Sequence, residues 1–166
     1  MEDILYAPWR DEYVTNQKIE GCVFCHISSH ETQDENLHVL YRDKYCFIVM
    51  NRYPYTPGHF MIIPHTHTDK LEDLSAETWL HMSALAQKGV RLLKEGVNAQ
   101  GVNIGMNLGK AGGAGIAEHI HMHLVPRWER DTNFITSLAQ TRVYSTDFVK
   151  IYHKIKALIP KYIEDE

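Results

Sequence analysis

The sequence predicts an α+β domain, with an antiparallel sheet covered by one long helix and a second helix near the C-terminus. Three observations predict it. Short runs rich in β-branched and aromatic residues, separated by turn residues, recur over residues 38–63 and again over 101–125. Residues 70–95 carry a helical period instead. No strand–helix–strand unit repeats, which separates this pattern from a parallel sheet. At 166 residues the chain is one domain by length, and no internal repeat, low-complexity tract or linker divides it.

Each element follows in order. Residues 1–20 are polar with scattered aromatics (Tyr6, Trp9, Tyr13) and read as an N-terminal arm with a short helix or turns; 20–135 form the core, and 136–166 a C-terminal helical extension. His38-Val39-Leu40-Tyr41 and Tyr45-Cys46-Phe47-Ile48-Val49-Met50 read as strands around the turn Arg42-Asp43-Lys44. Asn51 to Gly58 is a loop, since Pro54 and Pro57 forbid regular pairing there. His59 to Ile63 is a third strand, stopped by Pro64. Leu71, Leu74, Leu80, Leu85, Val90 and Leu92 recur near helical spacing, with Ser75 as N-cap and Gly96 past the end. Gly101–Leu108 and Glu118–Val125 are further strands joined by the glycine-rich loop Gly109–Gly115, and a last helix runs from about Thr146 to Tyr162.

Composition excludes several function classes. Lys plus Arg total 17 against 21 for Asp plus Glu, a net charge of -4, whereas a domain that neutralises a phosphate backbone carries a basic excess. A nucleic-acid polymer is therefore not the expected partner. No apolar run approaches the roughly 20 residues of a bilayer span, so no membrane partner is expected. The opening Met-Glu-Asp-Ile-Leu-Tyr-Ala-Pro-Trp-Arg lacks the apolar stretch of a secretory signal. With three cysteines, an odd number, no disulfide framework is expected. The expectation is a cytoplasmic domain.

Eleven histidines are the compositional anomaly. His26, His30, His38, His81 and His153 read as surface residues, whereas His59, His65 and His67 cluster, as do His119, His121 and His123. His119-Ile120-His121-Met122-His123-Leu124-Val125 alternates at period two. In a strand this sends Ile120, Met122 and Leu124 into the core and lines the histidines on the other face, about 6.6 Å apart. A helix would scatter them. Neutral imidazole near physiological pH serves as nucleophile, general base or metal ligand.

This strand, together with Pro57-Gly58-His59 and Ile63-Pro64-His65-Thr66-His67, resembles the histidine-triad (HIT) superfamily of nucleotidyl hydrolases and transferases. The resemblance spans about residues 20–135. It implies a HIT-like fold whose sheet is extended across a homodimer, and a nucleotide or dinucleoside polyphosphate substrate. It further implies that His121, the middle histidine, attacks the α-phosphorus to form a nucleotidyl-histidine, which water or phosphate then discharges. His123 and His59 match the positions for phosphate contact and the leaving group's proton. Asn51 matches a ribose contact, and Asn107 a polar side chain near the phosphates.

Cys22-x-x-Cys25 alone fits a redox pair, two buried thiols or half a metal site. The zinc-bearing members of the superfamily add two histidines, which fall here on His67 and His119, so the resemblance implies a structural zinc and no organic cofactor. Four protein ligands leave no open position, so such an ion would not be a Lewis acid. Cys46, in an apolar strand, reads as core.

The glycine-rich loop fails the P-loop test, because Gly109-Lys110 is followed by Ala111 and leads into a strand. Its backbone N–H groups at Gly113, Ala114 and Gly115, with Lys110, remain candidates for phosphate oxygens. Many superfamily members carry Gln then Ser or Thr just before the triad; Ala114-Gly115-Ile116 offers no such side chain. The loop, the triad, Pro126-Arg127-Trp128, Asp131-Thr132-Asn133-Phe134 and the opening Ala7-Pro8-Trp9-Arg10 resemble a bacterial branch similar to diadenosine tetraphosphate phosphorylases. Glu129-Arg130 departs from that branch. Trp128 is a candidate to stack on a base or to pack at an interface. The alternatives are hydrolysis of nucleoside phosphoramidates through the same nucleophile, and a nucleotide-binding regulatory module without turnover.

Overall fold

A computed structural model describes residues 20–129, 131, 138 and 144–164. The expected arm, including Tyr6, Ala7-Pro8-Trp9-Arg10 and Tyr13, lies outside the described residues, as does Thr132-Asn133-Phe134. The elements are α1 (Val23–Ser29), β1 (Val39–Arg42), β2 (Cys46–Met50), β3 (Phe60–Pro64), α2 (Ala76–Arg91), β4 (Gly101–Gly105), β5 (Met122–Arg127) and α3 (Phe148–Lys156). All pairings are antiparallel, in the order β1-β2-β3-β5-β4. The predicted α+β architecture with one long helix is the observed one. Among the described residues, no helix is long and apolar enough to cross a membrane.

Alternation assigns the two faces of the sheet. Ile48, Met50, Phe60, Ile62, Met122 and Leu124 meet Met82, Leu85 and Ala86 of α2, together with Ile151 and Ile155 of α3, in the larger core. Phe47, Val49, Met61 and Ile63 face the other way and are covered by Phe24 and Ile27 of α1. Each buried Leu or Ile in such a core contributes about 1.5–3 kcal/mol of apolar transfer. Ser75 caps α2 by accepting the Thr78 N–H at 3.1 Å, as predicted. A five-residue π turn, Leu92–Gly96, ends that helix.

One element and three boundaries differ from expectation. Helix α1 is unmarked by the sequence pattern: it is seven residues long and has no side-chain N-cap bond. Packing holds it instead, along with Arg42, whose guanidinium donates to the Ser28 and Ile27 carbonyls at its C-terminal end. The triad strand begins at Met122 rather than Glu118. Continuing the register would set Ile120 opposite Pro64, which has no N–H to offer. The Ile120 N–H bonds the Thr68 carbonyl instead, at 2.9 Å. Strand β4 stops at Gly105, not Leu108. The C-terminal helix is interrupted after Lys156 and resumes as a π turn over Pro160–Glu164. Two histidines read as surface are engaged: His38 packs edge-on against Phe148 and Tyr152, and His81 Nε2 lies 2.6 Å from the Asp43 carboxylate.

Candidate active site

Although only His123 of the three lies in the ladder, alternation still sends the triad to the α1 face of the sheet. Phe24 of α1 packs against both His119 and His121, with ring centroids 5.6 and 5.0 Å away. His121 is 6% exposed and its Nδ1 lies 2.8 Å from the His119 carbonyl. A carbonyl only accepts, so Nδ1 carries the proton and Nε2 keeps its lone pair. Burial lowers the pKa of His121, opposed by that same bond, and the ring stays neutral near pH 7.

A second pair of imidazoles stands beside it. His59, fully buried just before β3, places Nε2 2.9 Å from His123 Nδ1. The Tyr55 backbone N–H donates to His59 Nδ1 at 3.2 Å. This makes His59 Nδ1 an acceptor and Nε2 a donor; His123 Nδ1 then accepts, and His123 Nε2 carries the hydrogen. Burial first, then the neighbouring imidazoles, holds His59 down to about 3. His123 is held to about 4 by burial and by His121. His121 and His123 meet edge to face at 4.8 Å. The structure thus joins an imidazole with a bare nitrogen to a neutral imidazole with a directed N–H.

The loop before β3 holds this arrangement. Gly58 takes φ +85, and a methyl on its Cα would come within 3.3 Å of Ile155 and 3.6 Å of Pro126. The Thr56 hydroxyl donates to the Pro126 carbonyl at 2.8 Å. Asn51 places its amide nitrogen 3.4 Å from the His59 ring, while its oxygen accepts the Tyr53 N–H at 2.9 Å.

The other candidate residues are placed as follows. Asn107 donates to the Gly113 carbonyl at 3.4 Å, bridging the two ends of the glycine-rich loop. Gly113 takes φ +86. Its N–H closes a turn onto the Lys110 carbonyl, and that of Ala114 onto Gly109. Lys110 and Gly115 are exposed in the same loop. Trp128 follows β5 at the end opposite His123, and its indole N–H donates to the Asn98 carbonyl at 2.8 Å. The structure does not bring it to the triad.

Cys22, Cys25, His67 and His119 converge, with one ligating atom from each within 4.8 Å of the others. The His119 Nε2–H donates to the Pro64 carbonyl at 2.9 Å, which turns the Nδ1 lone pair toward the cluster. That Nδ1 lies 3.4 Å from Cys22 Sγ, 3.7 Å from Cys25 Sγ and 3.3 Å from His67 Nδ1. Cys25 Sγ lies 3.2 Å from His67 Nδ1. A tetrahedral zinc with N and S ligands has edges of about 3.3–3.8 Å, so the donor set fits that ion in chemistry and spacing. Asp43, Cys46 and His81 also approach one another. There, however, the carboxylate is taken up by the Tyr45 and Cys46 amides and by His81, and burial pushes the Cys46 thiol far up.

Sequence reasoning missed Phe24 and Tyr55. Phe24 sits between the two cysteines, a position readable only once α1 is known to be helical. Tyr55 lies in an irregular loop, where no periodicity marks a side chain.

The HIT domain family matches residues 32–130. AP-4-A phosphorylase of Mycobacterium tuberculosis is 41% identical over 113 residues, covering 68% of this chain and 58% of that protein. The chain therefore matches a little over half the length of that relative. An adenosine 5'-monophosphoramidase of Saccharomyces cerevisiae is 27% identical over 168 residues, covering 97% of each chain. Among solved structures, a zinc-bound histidine triad family protein from Mycobacterium smegmatis superposes with a TM-score of 0.71 at 32% identity, covering 88% of this chain and 98% of that one. With the triad on one face of the sheet and the family match spanning most of that sheet, the chain belongs to the HIT domain family.

Proposed function

We propose that this protein cleaves dinucleoside polyphosphates, diadenosine polyphosphates foremost, at the α-phosphorus through a nucleotidyl-histidine on His121, with phosphate or water as acceptor. One observation carries the reading. His121 donates its Nδ1–H to the His119 carbonyl, which leaves Nε2 bare beside the directed N–H of a neutral His123. The AP-4-A phosphorylase match supports the substrate class.

The His121 Nε2 lone pair forms the N–P bond as the bond from the α-phosphorus to its bridging oxygen breaks, and the electron pair leaves with the polyphosphate. His123 Nε2–H donates to the departing or non-bridging oxygen. The doubly substituted His121 ring is then cationic, and the His119 carbonyl stabilises it through Nδ1–H. Attack by a phosphate or water oxygen reverses the N–P bond and returns the pair to Nε2; water gives up its extra proton to solvent. Asn51, Asn107, Lys110 and the Gly113–Gly115 backbone are proposed as ribose and phosphate contacts. Cys22, Cys25, His67 and His119 would hold a zinc ion, which supplies cross-linking of α1 to the segment that carries His121. The β4 edge is proposed to join a second copy into one continuous sheet.

Mass spectrometry of intact protein quenched after mixing with diadenosine tetraphosphate tests the chemistry. The expected result is an adenylyl adduct on His121, discharged to ADP when phosphate is present and to AMP when water is the acceptor. His121→Ala should bind nucleotide with little change in affinity and lose turnover. Turnover surviving that substitution would remove the nucleophile assignment. Adduct formation from adenosine phosphoramidate but not from the dinucleotide would move the substrate to the phosphoramidates.

A further inference from the structure

The loop between β2 and β3 places an aromatic ring over the histidine pair. Tyr55 stacks at a tilt on His59, with centroids 4.9 Å apart and planes at 36°. The same ring lies within 27° of parallel to His123 at 6.2 Å. The residue remains 54% exposed, so one side of the ring looks outward while the other lies along the two imidazoles. Its backbone N–H is the donor that fixes the His59 tautomer. Beneath this ring His59 is fully buried.

We propose that Tyr55 is a positioning residue whose ring roofs the His59–His123 pair, keeping water off their hydrogen bond and so holding His123 neutral with its Nε2–H directed at the phosphates. The proposal deepens the nucleotidyl-transfer reading, which assigns His123 that donor role. The physical reason lies in the pair itself. The bond from His59 Nε2–H to His123 Nδ1 persists only while His123 Nδ1 is unprotonated, because a second proton there would set two donors face to face at 2.9 Å. An aromatic surface over both rings excludes the water that would stabilise the charged form. Among the described residues, the titratable groups facing the pair are His121, against His123, the Tyr55 phenol of the ring above, and the two imidazoles themselves. Tyr55 is thus placed to set the acid limit of the site through its ring, with no requirement for its hydroxyl.

Three substitutions and two readouts test this. Tyr55→Phe keeps the roof, Tyr55→Leu keeps apolar bulk without a flat ring, and Tyr55→Ala removes both. Nitrogen-15 NMR of the histidine rings reports the tautomer and titration of His59 and His123 in the absence of substrate, so this arm stands even if diadenosine tetraphosphate is not turned over. In Tyr55→Ala the His123 titration should move up by about one pH unit, and the acid limb of kcat/KM with it. With His123 starting at about 4, that amounts to an extra loss of about twofold at pH 5, approaching tenfold only below about pH 4. Tyr55→Phe should match wild type, and Tyr55→Leu should fall between. Should Tyr55→Ala fail to fold, the Phe and Leu variants decide the matter through the same titration. An unmoved His123 titration and tautomer in both Ala and Leu would overturn the proposal. So would equal losses in Phe and Ala, which would assign the role to the hydroxyl.

Discussion

At the scale of single residues, the site is governed by which nitrogen carries each proton. His121, His59 and His123 are all neutral, and their tautomers are set by one carbonyl, one backbone N–H and one another. Neutrality has a consequence for stability. His59 and His123 are held to about 3 and about 4 in the folded protein, against about 6.5 when unfolded. Between those values the unfolded chain binds more protons than the folded one, so stability rises with pH across that window. The contribution is complete above about pH 6.5 and is lost as the pH falls toward 4. The loss from pH 7 to pH 5 is on the order of 3 kcal/mol for the two groups. The midpoint of thermal unfolding should therefore drop steeply over this range in wild type. In His59→Gln, which cannot take up a proton on unfolding, the drop should be clearly shallower. Parallel curves for the two proteins would show that these imidazoles do not titrate as their burial requires.

At the scale of elements, the sequence was most legible where periodicity and burial agree. The alternation of Ile120, Met122 and Leu124 with the histidines assigned the two faces correctly, and the Ser75 cap located the start of α2. Legibility failed where a distant residue decides. The triad strand starts late because Pro64 and Thr68, more than 50 residues upstream, take over from the ladder. Helix α1 is too short to propagate alone and exists through tertiary contacts. The function of α3 was equally hidden. Lys156 donates to the Val39 and Leu40 carbonyls at the irregular start of β1, covering that edge of the sheet, while Ile155 abuts Gly58 just before His59. If α1 depends on a zinc ion at Cys22, Cys25, His67 and His119, removal of the ion should loosen this element first. A strong chelator is expected to release about one zinc per chain and lower the unfolding temperature. Amide exchange should accelerate in α1 and around His119 before it does in α2. Uniform acceleration across the chain, or no bound metal in freshly purified protein, would argue against a zinc clamp.

At the scale of the whole molecule, the two edges of the sheet are treated differently. On the β1 side Tyr152 and Lys156 of α3 reach main-chain carbonyls, a cover of the kind that keeps an edge from pairing with another chain. The β4 side has no comparable cover among the described residues: Asn103, Ile104 and Gly105 are exposed, and no strand pairs beyond β4. Ile104, half exposed, shares a face with Leu124 across the β4–β5 pair. It borders an apolar groove lined by Trp79, Ala86 and Val90 of α2 and by Met122. An open edge beside an apolar groove suits two-fold pairing, since β4 can meet a second β4 antiparallel while the two α2 faces close over the groove. The triad would then be supported through β5, which pairs directly with the strand at the interface. Light scattering should accordingly give twice the chain mass at micromolar concentration. Ile104→Lys sets a charge in the groove at the two-fold contact and should shift the mass toward one chain. Its near-ultraviolet signal from Trp79 should change with it, while its secondary structure stays intact. Wild type at the mass of a single chain, or a variant still at twice that mass, would mean that this edge is protected by some means other than its own copy.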